Sequence, residues 1–473
     1  MADPAPPAAA PADAPAAAAD GDAATYAPDA DTWDHVVRAA AHCGQLEAAA
    51  LLMRATREHT HDPELLARTR GVRGKRGLTL LMLAVMRCDV VRAAEIVGAA
   101  PTPAARAELL AYVDVGDFTA LQSACSPTHS DEDAALALVE LLLGAGADPL
   151  VRYRDPTTGL DYQPIHFAAH WSARLVQRLV QAGASIDSNV AGNSTLCCAA
   201  RAGTARGVRM IPALVALGAR ETLGNRTIHV FACWPVEAAP PSDEEVRAAL
   251  TALVSVGCSL TDPGEGSDLT PIDIAAIRGN APVVRALLAL GVAATTKSLA
   301  HAAEHPEIVR LLLAAGAPPG GLVRGVAEST VSPLMAAAAL ASLESVRLLL
   351  AAGATFLQRN ERGHTALMYA LRSGATDAAA VPHVVEALLI AGSDVAARDR
   401  DGNTPLHLLA LHCAMQPWAA AVARLLLGNG ADVDATNKAG LKPAGCVPDA
   451  GEGRAAARDE LVALLLEAEG GEA

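Results

Sequence analysis

From about residue 31 onward the chain alternates short polar breaks with pairs of apolar segments, and the same pair recurs. The clearest copy starts at Asp401. It reads Asp-Gly-Asn-Thr-Pro-Leu-His-Leu-Leu-Ala, then an insert, then Ala-Arg-Leu-Leu-Leu-Gly-Asn-Gly-Ala-Asp-Val-Asp, ending at Asp434. Other copies keep the same parts. Thr270-Pro271-Ile272 leads to Val283-Val284-Arg285-Ala286-Leu287-Leu288 and Gly291, and Ser332-Pro333-Leu334-Met335 leads to Val346-Arg347-Leu348-Leu349-Leu350 and Gly353. Gly363-His364-Thr365-Ala366-Leu367-Met368 and Gln163-Pro164-Ile165-His166 open two more. Each part predicts a local structure. The Thr or Ser hydroxyl accepts backbone N–H bonds and caps a first helix. Pro fits the first turn, where its missing N–H costs nothing. Small Ala residues let that helix lie close to a partner. The Val-x-x-Leu-Leu-Leu stretch gives a second helix with a broad apolar face. The Gly behind it ends that helix in a left-handed conformation, and the Ala-Asp-Val-type stretch reads as an extended connection.

This pattern resembles the ankyrin repeat over about residues 31–473. Units anchor on His35, Thr79, Thr119, Gln163, Ser194, Arg226, Thr270, Lys297, Ser332, Thr365, Thr404 and Lys442, which makes about twelve. From Thr79 onward the intervals run from 27 to 44 residues, against a family period of ~33. The resemblance implies an all-α solenoid of stacked helix-turn-helix units with short β-hairpin connections. Extra residues near 126–134, 235–243, 375–381 and 414–420 are expected to project between the two helices of their units. The unit at Lys297 is shortened. Residues 444–473 have a poor first helix and a good second one, as a capping repeat needs. Residues 1–30 carry mostly Ala, Pro and Asp and are expected to be a disordered tail.

Composition fits thin layers better than one large core. Hydrophobic residues make up 52% of the 473, aromatic residues 3% and charged residues 19%, with mean hydropathy +0.26. Wholesale disorder is excluded. The net charge is −15. Residues 1–37 hold seven acids and no Lys or Arg, and residues 444–473 hold seven acids against Arg454 and Arg458, which leaves the middle at −3. A nearly neutral body with acidic ends lacks the footprint of a nucleic-acid binder and does not suit an acidic membrane surface. Arg68, Arg70, Arg73, Lys75 and Arg76 form one local exception, read first as a solvated loop. The nine cysteines contain no C-x-x-C pair, so reduced, mostly buried thiols in an intracellular chain are expected, without structural zinc. No secretory leader or run of 18 apolar residues appears. A cytoplasmic chain, with the nucleus also open to it, is expected.

Catalytic signals are weak. His301-x-x-Glu304-His305 matches the inverted zinc-protease motif, but Pro306 disfavours helix at His305 and no third ligand is evident. No phosphate loop, dinucleotide fingerprint or nucleophile elbow occurs. His166, His229 and His407 fall on the fourth position of Thr-Pro-Leu-His, where the family resemblance implies hydrogen bonding to neighbouring backbone. It also implies protein binding on a concave face of first helices and hairpin tips. Its variable positions map onto Tyr162, His170, Trp171, Arg201, Cys233, Trp234, Leu269, Arg278, His364, Arg372, Asn403 and His412. Trp171 and Trp234 share one such position; they read equally as partner anchors, since Trp and Arg are enriched in binding hot spots, and as packing under an insert. Arg152, Tyr153, Phe356, Arg359, Arg398 and Arg400 on the hairpins rank second. The expected function is a non-catalytic, monomeric scaffold for a partner protein, with no cofactor, metal, nucleic acid, membrane or small-molecule substrate. The alternatives are a substrate adaptor of a ubiquitin ligase, or a host-directed (viral) effector. Residues 444–473 show no convincing ligase-binding box.

Overall fold

The computed structural model of the protein describes residues 79–470, save 101, 114–116, 127–130, 156–158, 191, 235–240, 265, 325–329, 373–377 and 449–454. The expected tail, the unit at His35 and the basic run at 68–76 lie outside the described residues. The chain divides into two compact units, Met1–Ala120 and Leu121–Ala473.

In the first unit, α1 (Leu80–Met86) starts where the Thr79 hydroxyl accepts the Met82 N–H at 3.2 Å. α2 (Val90–Gly98) starts where Asp89 accepts from Arg92 N. α3 (Pro103–Ala111) follows, capped by Thr102. It is an additional helix, and it occupies much of the long interval between Thr79 and Thr119. Thr102-Pro103 is the same start signal that opens the regular units.

The second unit is a run of helix pairs. α4 (Ala120–Ala124), at the boundary, precedes α5 (Glu132–Gly144). Then come α6 (Pro164–Ala168) with α7 (Ala173–Gln181), α8 (Thr195–Arg201) with α9 (Ala205–Ala216), and α10 (Arg226–Ala232) with α11 (Asp243–Ser255). α12 (Pro271–Ile277) pairs with α13 (Ala281–Ala289), α14 (Thr296–His301) with α15 (Pro306–Ala314), and α16 (Pro333–Ala339) with α17 (Leu343–Ala351). α18 (Ala366–Ala370) pairs with α19 (Val381–Ile390) and α20 (Pro405–Cys413) with α21 (Ala419–Gly428). From α6 on, each first helix packs on the next first helix; from α5 on, each second helix packs on the next second helix. The core is therefore a continuous sheet of Leu, Val and Ala side chains such as Leu179, Leu214, Leu253, Leu287, Leu312 and Leu349, all buried. The all-α class matches the sequence expectation. Among the described residues three two-stranded antiparallel hairpins join layers: β1 (Tyr153–Arg154) with β2 (Asp161–Tyr162), β3 (Asn189–Val190) with β4 (Asn193–Ser194), and β5 (Val323–Arg324) with β6 (Thr330–Val331).

Two anchors shift. α10 is capped at Asn225, not Arg226, and Asn225 makes no side-chain cap bond. Its amide instead reaches the following connection, accepting from Ser259 N at 2.7 Å and donating to Asp262 O at 3.2 Å. The short unit is capped at Thr295, two residues before Lys297, because Thr295 and Ser298 form a reciprocal capping box. At the C-terminal end the weak first segment is a 3-10 turn (Pro443–Cys446), and α22 (Ala455–Gly470) packs on α21 with Leu461 and Leu465 buried.

The last three connections repeat one geometry. Asn360, Asp399 and Asn437 each accept two backbone N–H groups through Oδ1, from the residues two and four positions on, at 2.8–3.0 Å. Successive tips are tied by Arg400 N donating to Arg362 O at 2.9 Å and Lys438 N donating to Asp401 O at 3.0 Å. Gly402 sits at φ +80 where a Cβ would lie 3.0 Å from Lys438 N, whereas Gly316, at φ +85, faces open space. Gly316→Ala is expected to lose only the left-handed penalty of about 1–2 kcal/mol. Gly402→Ala is expected to lose more and to speed hydrogen exchange at the Lys438 amide, which Gly316→Ala leaves unchanged; urea unfolding and exchange spectra check both.

Candidate partner-binding face

The C-terminal end of each first helix and the hairpin before it bring the sequence-predicted residues to one side of the second unit, where they fall into two clusters. In the first, Tyr162 on β2 packs its ring against Phe167 (centroids 5.5 Å apart) and Tyr153 (6.3 Å). Its hydroxyl accepts from Arg201 Nη1 at 3.0 Å. Arg201 ends α8; it is half-buried, and it also donates to Asn193 Oδ1 at 3.2 Å and contacts Cys197 Sγ at 3.8 Å. His170 lies alongside, its pKa pushed down to about 4 by burial and then by the charges of Arg201 and His166.

The second cluster joins His364, Arg372, Asn403 and His412. Arg372 Nη1 donates to His364 Nδ1 at 3.2 Å, which leaves Nε2 to carry the proton toward Asp399 Oδ2, 3.6 Å away. Asp399 is buried and is held by the N–H and side-chain amide of Asn403 at 2.8 and 3.1 Å. Asn437 Nδ2 donates to Asn403 Oδ1 at 2.9 Å, extending the chain one layer further. Exposed His412 stands near Arg372, and burial first and that charge second hold its pKa below the usual imidazole value. Asp399 was missed as part of the site; its hairpin position before Gly402 is the one signal in the sequence.

Other expected residues fall elsewhere. Trp171 and Trp234 are only 6% and 3% exposed. Trp171 Nε1 donates to the Cys125 carbonyl at 2.9 Å, and the Arg206 guanidinium lies 5.7 Å from its ring centre. Trp234 packs on Phe231 at 5.1 Å. Of the two readings the sequence allowed, the structure supports packing: both rings fill gaps beside Ala-rich helices and neither is an exposed anchor. Cys233 and Leu269 are half-buried, and Arg278, just beyond α12, is exposed.

Two of the three fourth-position histidines tie layers together. His166 Nδ1 accepts from Gln163 N at 2.8 Å and Nε2 donates to Ser188 O at 3.1 Å; His407 does the same with Thr404 N and Leu441 O. A profile of the ankyrin repeat matches residues 362–400 and 401–438, the layers of the second cluster. The chain carries ankyrin repeats. It is also similar to ankyrin repeat and SOCS box protein 16 of Mus musculus, with 37% identity over 121 residues, covering 25% of this chain and 26% of that protein. The chain therefore spans about a quarter of that relative's length.

Within the ankyrin array, His301-x-x-Glu304-His305 does not converge. His301 ends α14, Glu304 is exposed, and His305 starts α15 with Nε2 on the Ile277 carbonyl at 3.2 Å. Among the described residues no group of His, Cys, Asp and Glu could hold a metal ion, and no helix is long and apolar enough to cross a membrane. Cys125, Cys197, Cys198, Cys233, Cys258, Cys413 and Cys446 are free thiols.

Several second-helix arginines meet carboxylates across layers: Arg174 with Asp133 (2.6 Å), Arg209 with Glu245 (3.1 Å), Arg285 with Asp243 (2.9 Å) and Glu307 (2.8 Å), Arg310 with Glu344 (3.2 Å) and Arg424 with Glu460 (3.1 Å). Arg201, Arg278 and Arg372, at the ends of first helices, have no carboxylate at ion-pair distance among the described residues.

Layer-tying histidines make stability depend on pH. Burial pushes His166 down to about 4, as it does His170, while an unfolded histidine takes its proton near pH 6.5. Between these values the unfolded chain binds protons that the folded chain refuses, so stability present at pH 7 is lost as pH falls from about 6.5 toward 4. The urea midpoint of the wild type is expected to drop between pH 6.5 and 5. His166→Gln starts lower at pH 7 and falls less steeply over that interval.

Proposed function

We propose that this chain is a non-catalytic scaffold that binds a partner protein on the face formed by first-helix ends and hairpin tips. The observation that carries this reading is the way that face is held. Its hairpin tips are locked layer to layer by backbone bonds and buried Asx side chains, so side chains such as His364 and Arg372 are fixed before any partner arrives. A preformed surface loses little conformational entropy on binding. A ubiquitin-ligase adaptor is a second reading, favoured by the SOCS box in the name of the mouse relative. Against it, the apolar side chains Leu461 and Leu465 of α22 are already buried in the array, as a capping helix requires.

The face is tested by affinity purification of the full chain from its native cells. Leu340 and Leu411 are exposed at first-helix ends, and Val254 and Ile390 are exposed on second helices. Partners captured by the wild type are expected to survive Val254→Glu with Ile390→Glu and to vanish with Leu340→Glu with Leu411→Glu. The opposite pattern would place binding on the second helices. A ligase scaffold recovered only when residues 440–473 are present would establish the adaptor reading.

A further inference from the structure

We propose that the occupant of this face is an acidic, extended segment of the partner, whose carboxylates pair with Arg201, Arg278 and Arg372; the inference rests on the scaffold reading above. The observations begin at Arg201. Its guanidinium is half-buried, yet its hydrogen-bond partners are all neutral: the Tyr162 hydroxyl, the Asn193 carbonyl oxygen and the Cys197 thiol. A cation taken partly out of water without a counter-ion is held at a cost. Glu221, the carboxylate in electrostatic reach of the same thiol, already accepts from Leu223 N at 2.7 Å and from Cys258 Sγ at 3.5 Å. Beside Arg201, Asn193 is fully buried and its Nδ2 donor has no partner. Arg206, over the Trp171 ring, adds another cation whose partner is an aromatic face.

The same condition recurs along the array. Arg278 and Arg372 stand just beyond the helical residues of α12 and α18, and neither is paired with an acid among the described residues, while second-helix Arg285, Arg310 and Arg424 are. The guanidinium groups at these three first-helix ends therefore have no carboxylate partner among the described residues. Guanidinium groups take carboxylates side-on through two parallel hydrogen bonds. The cations are also sparse. Arg201 and Arg278 are two layers apart and Arg278 and Arg372 three layers apart. Adjacent helices pack about 8–10 Å apart and an extended chain advances about 3.3 Å per residue. Acidic side chains some six to nine residues apart on an extended segment match that spacing, whereas a phosphodiester backbone needs a continuous basic track, which a chain of net charge −15 does not offer.

A fluorescent glutamate-rich peptide and its glutamine counterpart are titrated against the full chain by anisotropy at two salt concentrations. Two charge-matched variants accompany it: Arg201→Gln with Arg278→Gln and Arg372→Gln on the first-helix face, and Arg209→Gln with Arg310→Gln and Arg424→Gln on the second. The glutamate peptide is expected to bind the wild type and the second-helix variant alike, weakening with salt, and to lose about tenfold for each first-helix guanidinium removed. Because Arg201 is part of a hydrogen-bonded cluster, the Arg278→Gln, Arg372→Gln double variant is measured too; unchanged urea unfolding with weakened binding supports the proposal. Equal binding of the glutamine peptide, equal loss in the second-helix variant, or equally tight binding of single-stranded DNA overturns it. A native partner that is lost with Leu340→Glu and Leu411→Glu yet insensitive to the arginine changes would leave the face standing and remove its acidic occupant.

Discussion

No layer of this chain can bury its own apolar side chains. The first helices of the second unit are five to nine residues long, too short to persist alone in water, and the second helices present one apolar side to the layer before and another to the layer after. Leu253, Leu287, Leu312 and Leu349 are buried only because the stack continues on both sides. Stability in such an array is a sum of neighbour contacts. Close approach is what makes each contact effective, and Ala at first-helix positions such as Ala275, Ala302 and Ala337 allows it. A chain with 52% hydrophobic and 3% aromatic residues is suited to this and ill suited to a single large core.

Polar groups enforce the same register. A His at the fourth helical position satisfies its own hairpin with Nδ1 and the next layer with Nε2. Where Asp273 replaces it, a carboxylate cannot donate across the gap. It accepts from Thr270 N at 3.1 Å, and the donor comes from the other side: Lys297 Nζ lies 3.8 Å from Asp273 and 3.0 Å from Asp268. Lys297 is free for this because the short unit takes its cap from Thr295. The irregular spacing at that point and the unusual residue at the fourth position are one structural adjustment. The reversed case is His229, whose Nδ1 donates to Asn225 O at 2.6 Å while Nε2 stays unpartnered.

What the residues reveal by themselves is local. Thr-Pro-Leu starts, Leu-Leu-Leu runs and Gly stops carry their own physics, so nine-residue helices such as α13, α15 and α17 are readable one at a time. Asn225 is the counter-example: its amide could cap a helix, and it bonds instead to residues 34 and 37 positions away. Trp171 is another, since the Cys125 carbonyl that takes its N–H is 46 residues off. A rule naming its position variable cannot tell whether a ring points to solvent or fills a gap, because that depends on the size of side chains in the adjoining layer. The pairings of Arg201 with Tyr162 and of His364 with Asp399 span 39 and 35 residues, about one repeat. They become visible once the period is known, but their geometry does not.

How some helices begin bears on where the ion pairs form. Some second helices place acids in the first turn: Asp243 and Glu245 in α11, Glu307 in α15 and Glu344 in α17. There they interact favourably with the helix dipole and stand within reach of an arginine one layer away. Each exposed pair contributes at most about 1 kcal/mol, so their main consequence is to neutralise the arginines they engage. Among the described first helices of the second unit, α12, α16 and α20 open on Thr-Pro or Ser-Pro, and only α12 has an acid in its first turn, Asp273, which is buried and engaged. Arginine at their C-terminal ends is also favoured by the dipole, which explains why Arg201 stands where it does. It does not explain the missing counter-ion. Arg201, Arg278 and Arg372 thus stay open to an anion from outside.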